Sequence, residues 1–142
     1  MRPTPDTRDS YPHFLTLGTR WADNDVYGHV NNSVYYYYLD TVVNRWLLEE
    51  GLLKLEGAEI IGLVVNTGLD YFESLAFPED VHLGLRVGRI GSSSVRYEVG
   101  IFGASQTAAA QGHFVHVYVD AKTRKPVPLP EAWREALDAL TD

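Results

Sequence analysis

The apolar residues of this 142-residue chain change their period once, and that change restricts the fold more than any single motif does. Tyr35, Tyr38, Leu39, Val42, Val43, Trp46 and Leu47 recur at the spacing of one helical face. Asp40, Thr41, Asn44, Glu49 and Glu50 fall mostly elsewhere on the wheel, as a helix with one packed side requires. Asn31 or Asn32 is placed to cap its start, and Gly51 to stop it. A helix of that span is about 28 Å long at 1.5 Å per residue. Beyond Gly51 the period falls to two. Val81, Leu83, Leu85 and Val87 alternate with His82, Gly84, Arg86 and Gly88, and Val95, Tyr97, Val99 and Ile101 with Arg96, Glu98 and Gly100.

Further strands are expected over His13–Arg20, within Ile60–Leu75, where Gly62 and Gly68 suggest bends or bulges, and from Ala108 to Asp120. In this last strand Val115, Val117 and Val119 face away from Phe114, His116 and Tyr118. The connections after the helix are short, such as Gly91-Ser92-Ser93-Ser94, so neighbouring strands run antiparallel. One long helix must then cover one face of an antiparallel sheet, an α+β layer domain. Pro130, after the extended Lys125–Leu129 connector, is read as opening a short final helix over Glu131–Leu140. Residues 1–12 are expected to form a flexible arm, leaving a single domain over 13–142.

With a net charge of −7, the chain lacks the basic surface that phosphate neutralisation on nucleic acid requires. It has no cysteine, hence no disulfide scaffold and no thiolate metal site. No apolar run approaches the roughly 20 residues of a membrane span, and Met1–Asp6 lacks the apolar core of a signal peptide. A cytoplasmic protein is the expectation.

Chemistry concentrates in Trp21–Asn32, which gathers Asp23, Asp25, His29, Gly28, Asn31 and Asn32 just before the helix. A helix start carries N–H groups without intrahelical partners, which can polarise a bound oxygen. Metal binding is a poor reading: Asp23, Asp25 and His29 are too few and too local, and His82, His113 and His116 have no spacing that completes a site. No Gly-x-Ser-x-Gly elbow is present, which removes a serine nucleophile of that type, and without cysteine a thiol is excluded too.

The ordered set Asp23-x-Asp25-x-x-Gly28-His29-Val30-Asn31-Asn32-x-x-Tyr35 directly before the helix resembles the hotdog-fold acyl-CoA thioesterases of the 4-hydroxybenzoyl-CoA thioesterase-like family. Arg45, Arg89-Ile90-Gly91-x-Ser93-Ser94 and Asp120-x-x-Thr123-x-x-Pro126-x-x-x-Pro130 extend the likeness over about Phe14–Pro130. The resemblance implies a curved antiparallel sheet of about five strands wrapped around the long helix. It also implies protomers joined edge to edge as homo-oligomers, dimers or tetramers, with active sites at the interface. The reaction implied is hydrolysis of an acyl-CoA thioester to free acid and CoA, with no cofactor beyond the CoA of the substrate. By the same resemblance Asp25 is the nucleophile or general base, and the backbone N–H of Asn32 polarises the carbonyl.

Tyr27, Gly28, His29, Tyr35, Arg89, Ser93 and Ser94 are the candidate substrate-binding positions. Arg86, Arg89 and Arg96 with the serine turn suit CoA phosphates. Asp23 is read as a turn residue or supporting hydrogen-bond partner. His29 is read as holding the loop, with orientation of water or substrate as its alternative role. One rival is an enoyl-thioester hydratase or dehydratase of the same fold, which resembles Asp-x-Asn-Pro-x-His. Asp25 and His29 have three residues between them rather than four, and the proline is missing. The other rival is a non-catalytic acyl-thioester binder.

Overall fold

The computed structural model describes residues 3–141. In chain order it has β1 (His13–Gly18), α1 (Asn32–Glu49), β2 (Ile60–Tyr71), β3 (Asp80–Ile90), β4 (Ser94–Phe102), β5 (Ala110–Asp120) and α2 (Glu131–Asp138). The strands form one antiparallel sheet in the order β1-β3-β4-β5-β2. The expected α+β architecture, five strands packed on one long helix, is therefore present.

The α1 residues buried against the sheet are Tyr35, Tyr38, Leu39, Val42, Val43, Trp46 and Leu47, the seven picked out by spacing. They meet Val81, Leu83, Leu85 and Val87 of β3 and Val95, Tyr97, Val99 and Ile101 of β4 in one core. Each large aliphatic side chain buried there contributes roughly 1.5–3 kcal/mol relative to exposure. On β5 the buried set is Ala110, Phe114, His116 and Tyr118, with Val119 also covered. Trp133 and Leu137 of α2 close the same core, Trp133 against the Tyr118 ring at 4.7 Å.

Two local expectations differ from what is found. Gly62 and Gly68 do not bulge β2; the irregularity lies between Val64 and Asn66. A Cβ at Gly62 would come within 2.9 Å of His116 Nδ1, and one at Gly68 within 2.9 Å of His113 Cε1. These glycines make room for cross-strand rings. The final helix begins at Glu131 with Pro130 as its N-cap, and it ends at Asp138 rather than Leu140.

The segment before β1 also makes contacts with the sheet. Asp6–Tyr11 is tied to the outer face of the sheet, with Asp6 N–H donating to Gln111 Oε1 (2.6 Å) and Arg8 Nη2 to Gly103 O (2.6 Å). Tyr11 packs with Phe102 and Ala108 as a second small core. Its ring sits over Gly84 and Gly100, where added Cβ atoms would approach it to 2.7 and 2.6 Å. Arg86 reaches from β3 to Asp6 and stacks on Tyr11, its guanidinium carbon 4.7 Å from the ring centre.

Candidate active site

After β1 the chain turns at one end of the sheet. Thr19 Oγ1 donates to Glu79 O (2.6 Å), fixing the exit of the strand. A short 3-10 turn over Trp21–Asp23 follows. Asp23 is only 2% exposed, and its carboxylate accepts from Arg20 N–H (2.8 Å), Nε (3.0 Å) and Nη2 (2.8 Å). That carboxylate is turned into the loop and consumed by it, which suits a supporting role.

Asp25 is held differently. Its Oδ1 accepts from Tyr27 N–H (2.9 Å), the local bond by which an aspartate side chain mimics a turn. Its carbonyl accepts from Gly28 N–H (3.0 Å), and its own N–H donates to His29 O (3.0 Å). Gly28 takes φ +82°, a left-handed conformation that a side chain there would strain. The result is a tight excursion whose tip, Val26 and Tyr27, is 94% and 81% exposed. Val30 N–H then donates to Leu75 O (2.7 Å), and Asn31 N–H to Asp23 O (2.8 Å), delivering the chain to the start of α1.

Asn31 is the N-cap. Its Oδ1 accepts from Ser33 N–H (2.9 Å) and from the Ser33 hydroxyl (2.8 Å), and its Nδ2 donates to Asp25 Oδ2 (3.3 Å). The next residue, Asn32, begins the helix, and its backbone N–H has no hydrogen-bond partner among the described residues. Such a donor lies at the positive end of the helix dipole and is open to a substrate oxygen.

Asn32 lines a cleft of about 470 Å³ together with His29, Tyr35, Tyr71 and Glu73. The Tyr71 hydroxyl donates to Asn32 Oδ1. Its pKa is pushed up to about 12, by burial first and then by the neighbouring Tyr36 and Tyr35, so at neutral pH it remains a donor. The Tyr35 ring stands edge-on to Tyr71 at 5.2 Å and to Tyr38 at 6.2 Å. Asp25 opens instead onto a different depression with Trp21, Asn24, Val26 and Gly28. The loop and the first turn of α1 thus bring Asp25, Tyr27, Gly28, His29, Asn32 and Tyr35 to one end of the sheet. Tyr71, at the far end of β2, and Glu73, two residues beyond it, join them there and were missed. Their signal was the length of β2: an eleven-step strand carries the chain back to the end where it began.

Arg89, Ser93 and Ser94 lie elsewhere. They flank the β3–β4 turn, ten residues along β3 from the Asp80–Gly18 pair, or about 33 Å at 3.3 Å per residue. Arg86 and Arg96 are not free to hold phosphates: both donate to Glu98, at 2.8 and 3.1 Å. Burial alone would raise the Glu98 carboxyl, and the hydrogen bonds from Arg86 and Arg96 outweigh it and hold the group low. Arg89 has no ion pair among the described residues. Nor does any cluster of metal-ligating side chains occur among them, and none of their helices is long and apolar enough to cross a membrane.

Residues 19–137 match the family model of the Thioesterase-like superfamily. The crystal structure of the PA5185 protein from Pseudomonas aeruginosa strain PAO1 is 48% identical, superposes with a TM-score of 0.94 and is matched over 98% of both chains. Slr0204, a 1,4-dihydroxy-2-naphthoyl-CoA thioesterase from Synechocystis, is 21% identical with a TM-score of 0.79 over 88% of this chain and 94% of that one, a likeness of fold. YsmA of Bacillus subtilis (strain 168) is 22% identical over 93 residues, 66% of this chain, and the matched part spans 63% of the length of YsmA.

Proposed function

Because the chain belongs to the thioesterase-like superfamily, we propose that it hydrolyses an acyl-CoA thioester to the free carboxylic acid and CoA. The observation that supports this reading is the Asn31 amide, which holds the Asp25 carboxylate and caps α1, whose first N–H, at Asn32, is unpartnered among the described residues. The N–H would stabilise the oxyanion that forms as the carbonyl carbon becomes tetrahedral. Asp25 would either take a proton from the attacking water or attack the carbonyl itself, giving an anhydride that water then cleaves. In both routes the C–S bond breaks and the thiolate of CoA leaves. A thiolate is a good leaving group, so one carboxylate suffices without a strong general acid.

The remaining candidates fit if two copies pair along β2. This twelve-residue strand is a sheet edge, and its Val64 and Val65 are 48% and 58% exposed. A two-fold pairing along it runs the two β2 strands antiparallel. The β3–β4 turn of one protomer, with Arg89, Ser93 and Ser94, then lies at the same end of the joined sheet as the Asp25 loop of its partner.

The test is an assay of wild type and Asp25→Asn against acetyl-, hexanoyl-, palmitoyl- and benzoyl-CoA, with released thiol read by a dye. The expected result is CoA release by wild type and a loss of about 10²-fold or more in the variant. Absence of thiol release from all four substrates, or an unchanged rate in Asp25→Asn, would refute the reading. A single turnover in ¹⁸O-labelled water identifies direct attack in which water opens the anhydride at the Asp25 carboxyl carbon, because the unlabelled Asp25 oxygen then leaves in the acid and the label stays on the enzyme.

A further inference from the structure

Asn31 does two things with one amide, and only its capping role was expected from the sequence. Its Oδ1 is committed to the helix start through Ser33 N–H and the Ser33 hydroxyl. A backbone N–H can only donate, so the amide orientation follows from chemistry: oxygen toward the helix and Nδ2 toward Asp25. That nitrogen donates to Asp25 Oδ2 at 3.3 Å, while Oδ1 of the same carboxylate is held by Tyr27 N–H. The backbone of Asn31 is fixed as well, its N–H to Asp23 O and its carbonyl from Val34 N–H. Asp23 itself is closed on Arg20, so it does not compete for the amide.

We propose that Asn31 is a positioning residue that sets the separation between the Asp25 carboxylate and the Asn32 N–H. One planar amide spans from the carboxylate to the first turn of α1, and Asn32 follows it directly in the chain. The proposal rests on the thioesterase reading above. No smaller or isosteric side chain supplies both bonds. Aspartate keeps the cap oxygen but offers a second anion where Asp25 needs a donor. Serine keeps a cap acceptor but is too short to reach Asp25 at the same time.

The two roles separate in Asn31→Asp and Asn31→Ser, measured with the acyl-CoA that wild type hydrolyses best. Both retain a good cap, so thermal midpoints stay near wild type. In Asn31→Ser, kcat falls about 10- to 100-fold through misplacement of the carboxylate, with KM little changed. In Asn31→Asp, kcat falls similarly, and the acidic limb of kcat/KM moves to higher pH because two carboxylates now face each other. A wild-type kcat and acidic limb in Asn31→Asp would overturn the proposal. So would variants whose loss of activity follows a loss of thermal stability, with the acidic limb unmoved, which is the signature of a cap alone. If Asn31→Asp does not fold, the kcat-against-KM split in Asn31→Ser decides. Wild-type activity that is lost in Asp25→Asn but kept in both Asn31 variants overturns this proposal alone. An inactive wild type, or an active Asp25→Asn, overturns it together with the reaction.

Discussion

His116 shows how one side chain carries a condition for the whole fold. It is 3% exposed on the inner face of β5, its Nδ1 shares a hydrogen bond with the Tyr118 hydroxyl (3.1 Å), and its Nε2 has no partner among the described residues. The Tyr118 hydroxyl is shared in turn with that of Tyr97 at 2.7 Å. Burial pushes the imidazole pKa down from 6.5 to about 4. The unfolded chain therefore binds a proton at a higher pH than the folded one. The stability associated with neutral His116 is complete above about pH 6.5 and is lost as pH falls toward 4, up to about 3 kcal/mol in all. Urea denaturation at pH 7.5 and 4.5 measures this. His116→Gln, which cannot take up a proton, is expected to flatten the pH dependence; equal slopes in both proteins would refute the assignment. The sequence showed this histidine on the face opposite His113, but its neutrality comes from Tyr97, Phe114 and Tyr118 packing around it, which no local pattern records.

At the scale of elements, what was legible was whatever repeats along the chain itself. The buried face of α1 and the inner faces of β3 and β4 follow directly from periodicity, because each packs one uninterrupted face. The bulge in β2 was misplaced because glycine has two uses in a strand. At Gly62 and Gly68 the deciding atoms belong to His116, Tyr118 and His113 on β5, at least 45 positions away in the chain. The same kind of distant contact hid the packing of the first segment, since the groove that receives Tyr11 is made by Gly84 and Gly100. In the candidate site, the loop residues were recognisable as a run, whereas Tyr71 and Glu73 arrive from another element. The Tyr11 contact is tested by Gly84→Ala, whose new Cβ would lie 2.7 Å from Tyr11 Cγ. Overpacking of this kind costs about 1–3 kcal/mol. Combined with Tyr11→Ala, much of that cost should vanish, giving a coupling above about 0.5 kcal/mol in a denaturation cycle. Strict additivity would show that the ring does not occupy the groove in solution.

At the scale of the molecule, the proposed pairing along β2 unites two ends of the sheet that a single chain keeps apart. Light scattering should then give a mass of two or four chains of 15.9 kDa each. A lysine at Val64 or Val65 is expected to shift the mass toward the monomer and to lower activity in parallel, because charge on an open edge opposes strand pairing. A fully active monomer would refute the shared arrangement. Arg89→Ala, far from Asp25 in its own chain, should raise KM more than it lowers kcat if it meets the CoA end of the substrate.

The two margins of the sheet differ in a way that governs how far such association can run. One margin, β1, offers six residues, and the other, β2, offers twelve. Two-fold pairing uses the long margin of both copies and leaves only short ones outward. Lateral addition of further strands then finds little backbone to grip, so growth by this route terminates itself at two copies. In the proposed pairing, the unequal lengths of the outermost strands would thus keep association from running on into a fibre.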